Sequence, residues 1–457
     1  MRSWRKERFM AINKNKLLVI SLDALGAEDA SFFETLPNFQ RILSGGARCF
    51  NVSSVYPSLT YPAHTSIVTG CYPRKHGIVN NTRFQFRRES PDWFWQRKYI
   101  KTTTLYDQVL KEGGTVAAFL WPVTARSKIT WNVPEIFANR PWDNQIFTSL
   151  RNGSPAFQAV LQQRFGHIRQ GRRQPALDDF VTECVKYTLA VKRPDLTLVH
   201  LTDVDTQRHL HGVRAPQVRE AILRHDRRLG GILDILEENG LMDQTNVVIL
   251  GDHYQKDTSM AIQMNYWLWQ KGWLTVRAGR LHQWQVYCKN CDGSAYVYIR
   301  KGSGYLKDAV REFLRELAAD ADSGIEQLIE GRDGAAMGAD PHCSFMLEAK
   351  DGYYFQDGLN GPFLSVENMD GITGPEPMYA THGYLPGKPG YQTVFMAKGP
   401  DVKENTDILS MCLVDEGPTL ARLLGVTLPE ADGRVITAML KEAAENILLE
   451  CHEKPQE

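Results

Sequence analysis

Five apolar runs rich in β-branched residues punctuate the chain, each separated from the next by segments of helical periodicity. KLLVISLD ends at Asp23, TVAAFLW at Trp121, LTLVHL at Leu201, TNVVILGDH at His253 and TVFMAKG at Gly399. Unbroken apolar runs of this length suit strands buried on both faces, as in a parallel sheet covered by helices. The intervening segments supply those helices. Pro37 to Leu43 is stopped by Gly45 and Gly46, Leu105 to Lys111 precedes a Gly-Gly pair, and a long segment runs from Pro216 to Asn239. In PALDDFVTECVKYTLAV the residues Leu177, Phe180, Val181, Cys184, Val185 and Leu189 share one face, with Pro175 suited to the helix start. Pro418 to Gly425 is a last short helix. Strand and helix signals in alternation predict an α/β fold with a mostly parallel central sheet and helices on both faces. From 261 to 375 the pattern loosens into aromatics, glycine-rich turns and a helix near Tyr305 to Leu317. This stretch is expected to be an inserted cap subdomain on a core formed by 14–260 and 376–445.

The chain has 457 residues and zero formal net charge, which offers no bulk attraction to a nucleic-acid polymer or an acidic membrane surface. Its basic start, MRSWRKERFMAINKNK, lacks the apolar core of a signal peptide, and no run is long enough to span a bilayer. A cytoplasmic protein without membrane attachment is therefore expected, and residues 443–457 are expected to be a helix end with a polar tail. Nothing in the sequence sets an oligomeric state. The eight cysteines are scattered, and only Cys288 and Cys291 form a CxxC. A structural zinc site of this kind needs two such pairs, so these are expected to be ordinary thiols.

Three predicted strands run into acidic or histidine residues: Asp23, then Asp205 with His209, then Asp252 with His253. A fourth segment, THGY with His382, precedes the last core strand. In open α/β sheets the ligand crevice lies beyond the carboxyl ends of the strands, so all four segments can meet there. Each element has an ordinary explanation. An Asp after a strand is often a turn or cap residue, and Asp205 and His209 are spaced as a helix-face pair. Asp203 is as eligible as Asp205 on this reasoning. Jointly, Asp and His in such numbers suit zinc or a related divalent metal. In PSLTYPAHTSIVTG, Thr60 stands just before a helical run. It is either an N-cap ahead of Pro62 or a nucleophile at a helix N-terminus, where phosphate binds readily.

These segments together resemble the alkaline phosphatase superfamily, in particular its nucleotide pyrophosphatase/phosphodiesterase (type I phosphodiesterase) family. PSLTYPAHTSIVTGCYPRKHGIVNN is similar to that family's nucleophile segment, DTQRHLHG to its D-x-x-x-H-x-x-G element, GDH to its Asp-His pair and THGY to its final histidine. The resemblance selects Asp205 over Asp203. It implies a nucleophilic Thr60 and two divalent metal ions, most readily zinc. Asp23, Thr60, Asp252 and His253 would hold one, and Asp205, His209 and His382 the other. It places Asn81 where the family has an Asn that binds a phosphoryl oxygen, with the backbone N–H of Tyr61 assisting. The Tyr61 ring either stacks on substrate or packs internally, while His64 and His76 are expected to be structural and His211 exposed.

What the resemblance implies is hydrolysis of phosphodiester or pyrophosphate bonds in small nucleotide-type substrates through a phospho-threonine intermediate. A phosphonate hydrolase of the phosphonoacetate type or a phosphomonoesterase is the alternative within the superfamily. A non-catalytic metal-binding scaffold is the alternative outside it. Thr60 disfavours a sulfatase, which needs Cys or Ser. Two positions depart from the family pattern. Arg208 replaces the Gly that commonly precedes the metal-binding His, and Tyr254 the Gly that commonly follows the Asp-His pair. Both are expected to bring bulk close to the metals; Arg208 either contacts a phosphate or, the expected reading, turns to solvent.

Overall fold

The computed structural model describes residues 15–88, 90–277, 280–368 and 377–441. The basic N-terminal segment through residue 14 and the polar tail from 443 lie outside them. The predicted apolar runs form the middle of a nine-stranded sheet. Lys16–Leu22 pairs in parallel with Leu196–Leu201 on one side and Thr245–Leu250 on the other. Val116–Phe119 continues the parallel set, between Leu196–Leu201 and Trp131–Val133. Thr393–Lys398 joins the far side antiparallel, lying between Thr245–Leu250 and Ala47–Ser53.

Alternation along each strand divides its side chains between two cores. Leu17, Val19, Val248, Leu250, Phe395 and Ala397 enter one, while Leu18, Ile20, Val247, Ile249, Val394 and Met396 enter the other. The helices Thr60–Thr69, Leu105–Lys111 and Glu416–Leu423 cover the first face. Pro37–Leu43, Pro155–Phe165, Ala176–Val191 and Pro216–Glu238 cover the second. The fold is therefore the expected α/β architecture, with a sheet of mixed rather than uniform direction. The sequence alone does not single out Ala47–Ser53, Trp131–Val133 or the helices Gln145–Asn152 and Pro155–Phe165.

Between the last two inner strands the chain builds smaller sheets with a core of their own. Val286–Cys291, Ser294–Ile299, Phe345–Ala349 and Ile325–Glu330 form one antiparallel sheet. Lys256–Ile262 pairs with Gly352–Phe355, Phe363–Ser365 and Ala380–Thr381. That strand runs across residue 261, where the sequence places the boundary. Cys288 and Cys291 are three apart on one strand, so they face opposite ways and are buried in different clusters. The pair cannot share a metal. No helix among the described residues is long and apolar enough to cross a membrane.

Glu348 joins the inserted sheet to the core. Its side chain is fully buried, with Oε2 accepting from the Tyr56 hydroxyl at 3.0 Å and Oε1 from the Leu385 N–H at 2.8 Å. Burial pushes its carboxyl up to about 8. A raised acid favours the folded state while protonated, so its contribution is complete below the ordinary value of 4.5 and is lost as pH rises through about 8. Between pH ~6 and ~9 this amounts to about 3 kcal/mol. Glu348→Gln is expected to flatten the pH dependence of stability over that interval, measured by denaturant titration. An unchanged slope rules out Glu348 as its source.

Candidate active site

The segments that carry chemistry leave the same edge of the sheet. Asp23 follows the strand Lys16–Leu22, and Asp252 and His253 follow Thr245–Leu250 after one glycine. That glycine is required by close approach, since a Cβ on Gly251 would stand 2.0 Å from the Leu25 carbonyl oxygen and 2.2 Å from Thr393 Oγ1. Asp205 and His209 lie one turn apart on the helix Asp203–His211, which starts two residues beyond the strand Leu196–Leu201. His382 directly follows Ala380–Thr381. Thr60 is the first residue of the helix Thr60–Thr69.

Four of these side chains converge on one point. His253 Nε2 lies 3.1 Å from Thr60 Oγ1, 3.2 Å from Asp252 Oδ2 and 3.5 Å from Asp23 Oδ1. Those two carboxylate oxygens are buried, and neither has a hydrogen-bond partner. Burial, then Asp205, pushes Asp23 up to about 7, and burial, then Asp23, raises Asp252 far above the usual carboxylate range. Burial holds His253 neutral, the form in which imidazole binds metal. Like charges crowded out of water with unfilled lone pairs fit a divalent cation. Metal-ligating atoms of Asp23, Asp205 and His253 also lie within 4.8 Å of one another, as do those of Asp205, His209 and His382. The two groups therefore adjoin.

In the second group Asp205 Oδ1 is 3.2 Å from His209 Nε2. His209 Nδ1 faces the Ala380 carbonyl at 2.8 Å, which turns Nε2 toward the site. Burial works against the charge on both partners. Even so, His209 holds the Asp205 carboxyl below its ordinary range, and Asp205 raises His209 to about 9. Asp203, the rival of Asp205, is occupied elsewhere. Arg224 Nε and Arg228 Nη1 donate to its Oδ2 at 2.7 and 2.9 Å.

Thr60 does not act as a cap. The N-cap position belongs to Leu59, and the Thr60 hydroxyl faces His253. Asn81 Oδ1 accepts the backbone N–H of Tyr61 at 2.9 Å. This corrects the expectation that the N–H assists at the phosphoryl group, because Asn81 takes it. It also fixes the Asn81 side chain, leaving Nδ2 as the donor it can offer. The Tyr61 ring is 0% exposed and packs edge-on against Trp93 at 5.1 Å between ring centroids. Of the two roles open to Tyr61, the structure supports packing and removes substrate contact.

A supporting layer went unread in the sequence. His200 Nε2 binds Asp23 Oδ2 at 2.9 Å, and its Nδ1 lies 3.1 Å from the Leu120 carbonyl and 3.5 Å from Glu135 Oε2. Its signal was a lone histidine inside the apolar run LTLVHL. Gln255 Nε2 donates to Asp205 Oδ1. His64 holds the Thr60 carbonyl at 2.8 Å, as a structural residue should, and also lies 3.4 Å from Asp252 Oδ2. His76 ties Ser66 to the Ile78 N–H, and His211 is exposed. The inserted hairpin reaches the site too. The Gly293 N–H donates to the His382 carbonyl at 2.8 Å, Ser294 Oγ to the Gly383 carbonyl at 2.7 Å, and Asp292 Oδ2 is 3.6 Å from His382 Nδ1.

Arg208 is the clearest correction. It does not face solvent. Its side chain is 0% exposed, donating to the Ala24 carbonyl and, at 2.6 Å, to Asp29 Oδ1. It is equally closed to a substrate phosphate. Tyr254 is buried beside it, with the guanidinium 4.3 Å from the ring centroid. An arginine in the last turn of a short helix reads as solvent-facing by default, and only the loop after Asp23 supplies its acid.

Comparison with known proteins agrees with this geometry. The family described as type I phosphodiesterase / nucleotide pyrophosphatase matches residues 17–385. Human ectonucleotide pyrophosphatase/phosphodiesterase family member 1 is 25% identical over 403 residues, covering 81% of this chain and 39% of that protein. Venom phosphodiesterase 2 of Crotalus adamanteus is 25% identical over 260 residues, 54% of this chain and 27% of its own length. The chain thus spans well under half the length of these curated relatives. Murine ectonucleotide pyrophosphatase / phosphodiesterase 5 superposes with a TM-score of 0.66 at 19% identity, covering 93% of this chain and all of that one. An inactive threonine-to-alanine variant of that murine protein, in complex with AMP, gives a TM-score of 0.65 over the same shares at 19% identity. The matched span takes in every candidate ligand position from Asp23 to His382, and the chain belongs to the type I phosphodiesterase / nucleotide pyrophosphatase family.

Proposed function

We propose that this chain hydrolyses phosphodiester or pyrophosphate bonds of small nucleotide-type substrates, with Thr60 as the nucleophile. The observation that carries this is the Thr60 hydroxyl at a helix start, 3.1 Å from His253 Nε2, the nitrogen on which two carboxylate oxygens without hydrogen-bond partners also converge. The names of the matched relatives and the AMP bound by the murine protein support the substrate class.

Asp23, Thr60, Asp252 and His253 would hold one divalent cation and Asp205, His209 and His382 a second, with zinc suited to the Asp/His donor set. Such a pair supplies Lewis-acid charge at the attacking and leaving oxygens. The protein's own residues do the rest. Thr60 Oγ1 forms a bond to phosphorus as the bond to the leaving oxygen breaks, and the hydroxyl proton passes overall to the departing group. Asn81 Nδ2, steadied by the bond between its Oδ1 and the Tyr61 N–H, donates to a non-bridging oxygen. Water then cleaves the phospho-threonine, releasing phosphate or a phosphomonoester and restoring the hydroxyl. His200 holds Asp23 in place throughout.

Thr60→Ala is expected to lower kcat/KM for an aryl phosphodiester by at least ~10³-fold while the fold persists, since a positioned nucleophile supplies much of the barrier reduction. Activity retained in that variant sinks the covalent route. Removing metal with a chelator is expected to lower the thermal midpoint, and adding back zinc to restore it, because binding to the folded state alone stabilises by about 3–4 kcal/mol at 100–1,000 times Kd. A midpoint indifferent to both treatments argues for a site that holds no ion. Rates on an aryl phosphodiester, the matching monoester and a phosphonate separate the proposed class from its superfamily alternatives. The diester is expected to be fastest.

A further inference from the structure

The two residues that depart from the family pattern touch each other, and what they grip is the loop that follows Asp23. Ala24 is in the left-handed region with φ 62°, a strained conformation for a residue with a Cβ. This turns its N–H toward one ligand segment and its carbonyl toward another. The N–H donates to Asp252 Oδ1 at 3.1 Å, and the carbonyl accepts from Arg208. Two residues further on, Tyr254 lies so close to Gly26 that a Cβ there would stand 2.1 Å from the ring. Asp29 closes the loop, taking the Gly26 N–H on Oδ2 at 3.0 Å and Arg208 on Oδ1 at 2.6 Å.

Arg208 immediately precedes His209, and Tyr254 immediately follows His253. The contact between them therefore ties one histidine of each ligand group to the segment carrying Asp23. We propose that Arg208, Tyr254 and Asp29 are positioning residues that set the separation of the two metal-ligand groups. The guanidinium lies over the Tyr254 ring and donates to Asp29 and the Ala24 carbonyl, out of reach of solvent. A desolvated cation–ring contact and a charge-assisted hydrogen bond are both strengthened by exclusion of water, and together they tie three short segments in one geometry. Side chains outside the ligand shell that orient ligands commonly change metal affinity by about 10–100-fold when replaced.

This inference rests on the two-metal reading, and one experiment separates the two. Zinc binding is measured by titration calorimetry, and the electronic spectrum of the cobalt-loaded protein is recorded. The proteins are the wild type, Arg208→Met, Tyr254→Leu and their double variant. Arg208→Met keeps the volume and removes the charge and fork. The wild type is expected to bind two ions. Each single variant is expected to weaken binding by about 10–100-fold and shift the cobalt bands. The double variant is expected to be no worse than the weaker single, since both remove one contact. Tyr254→Phe keeps the ring and is expected to bind as the wild type does. Should Arg208→Met fail to fold, Asp29→Asn, which is nearly isosteric, replaces it. Two ions bound by every variant with wild-type affinity and spectrum, whatever the change in thermal midpoint, overturns the clamp alone. No ion bound by the wild type overturns the two-metal reading and the clamp with it.

Discussion

Asp23 and Asp252 are two buried carboxylates that point unpartnered oxygens at the same imidazole nitrogen. In a low-dielectric interior this arrangement is unfavourable by itself, since each charge has lost water and faces another of its own sign. Much of the surrounding structure restrains it. His200 binds the outer oxygen of Asp23, the Ala24 N–H binds the outer oxygen of Asp252, and His64 backs Asp252 from the helix that starts at Thr60. A site assembled in this way has its donors in place before any cation arrives. Polar groups held by the fold need little rearrangement when charge develops near them.

The segments that meet at the candidate site were legible because their signals are local. A run such as KLLVISLD is apolar on both faces, so it can only be an inner strand, and an acid at its end must lie at the sheet edge. The same logic found Asp252 and His253. Asp205 was separable from Asp203 only through the family motif. In the structure the distinction is physical, because Arg224 and Arg228 neutralise Asp203 from the neighbouring helix Pro216–Glu238. Ala47–Ser53 stayed hidden because its exposed and half-buried members, Arg48, Phe50 and Asn51, break the apolar run. Its strand character comes from pairing with Thr393–Lys398, over 300 residues away.

What could not be read was direction. Arg208 and Tyr61 are sequence neighbours of His209 and Thr60, yet neither side chain turns toward the candidate site. Arg208 turns toward Asp29 and Tyr61 toward Trp93. Each partner comes from a different segment. His200 illustrates the converse case, in which an apolar strand conceals a polar residue that holds a ligand from behind.

The hairpin that carries Asp292 has a consequence for how this fold can be altered. Its backbone is hydrogen-bonded to His382, and Asn80, next to Asn81, donates to the Asn290 carbonyl at 2.8 Å. Gly383 lies so near the Cys291 carbonyl oxygen that a Cβ would stand 1.9 Å from it. The inserted region is thus not a detachable module seated on a finished core. Exchanging it for another would require residues 290–294, 380–383 and 80 to travel as one block. A chimera joined anywhere inside that block would inherit a histidine without the backbone that holds it.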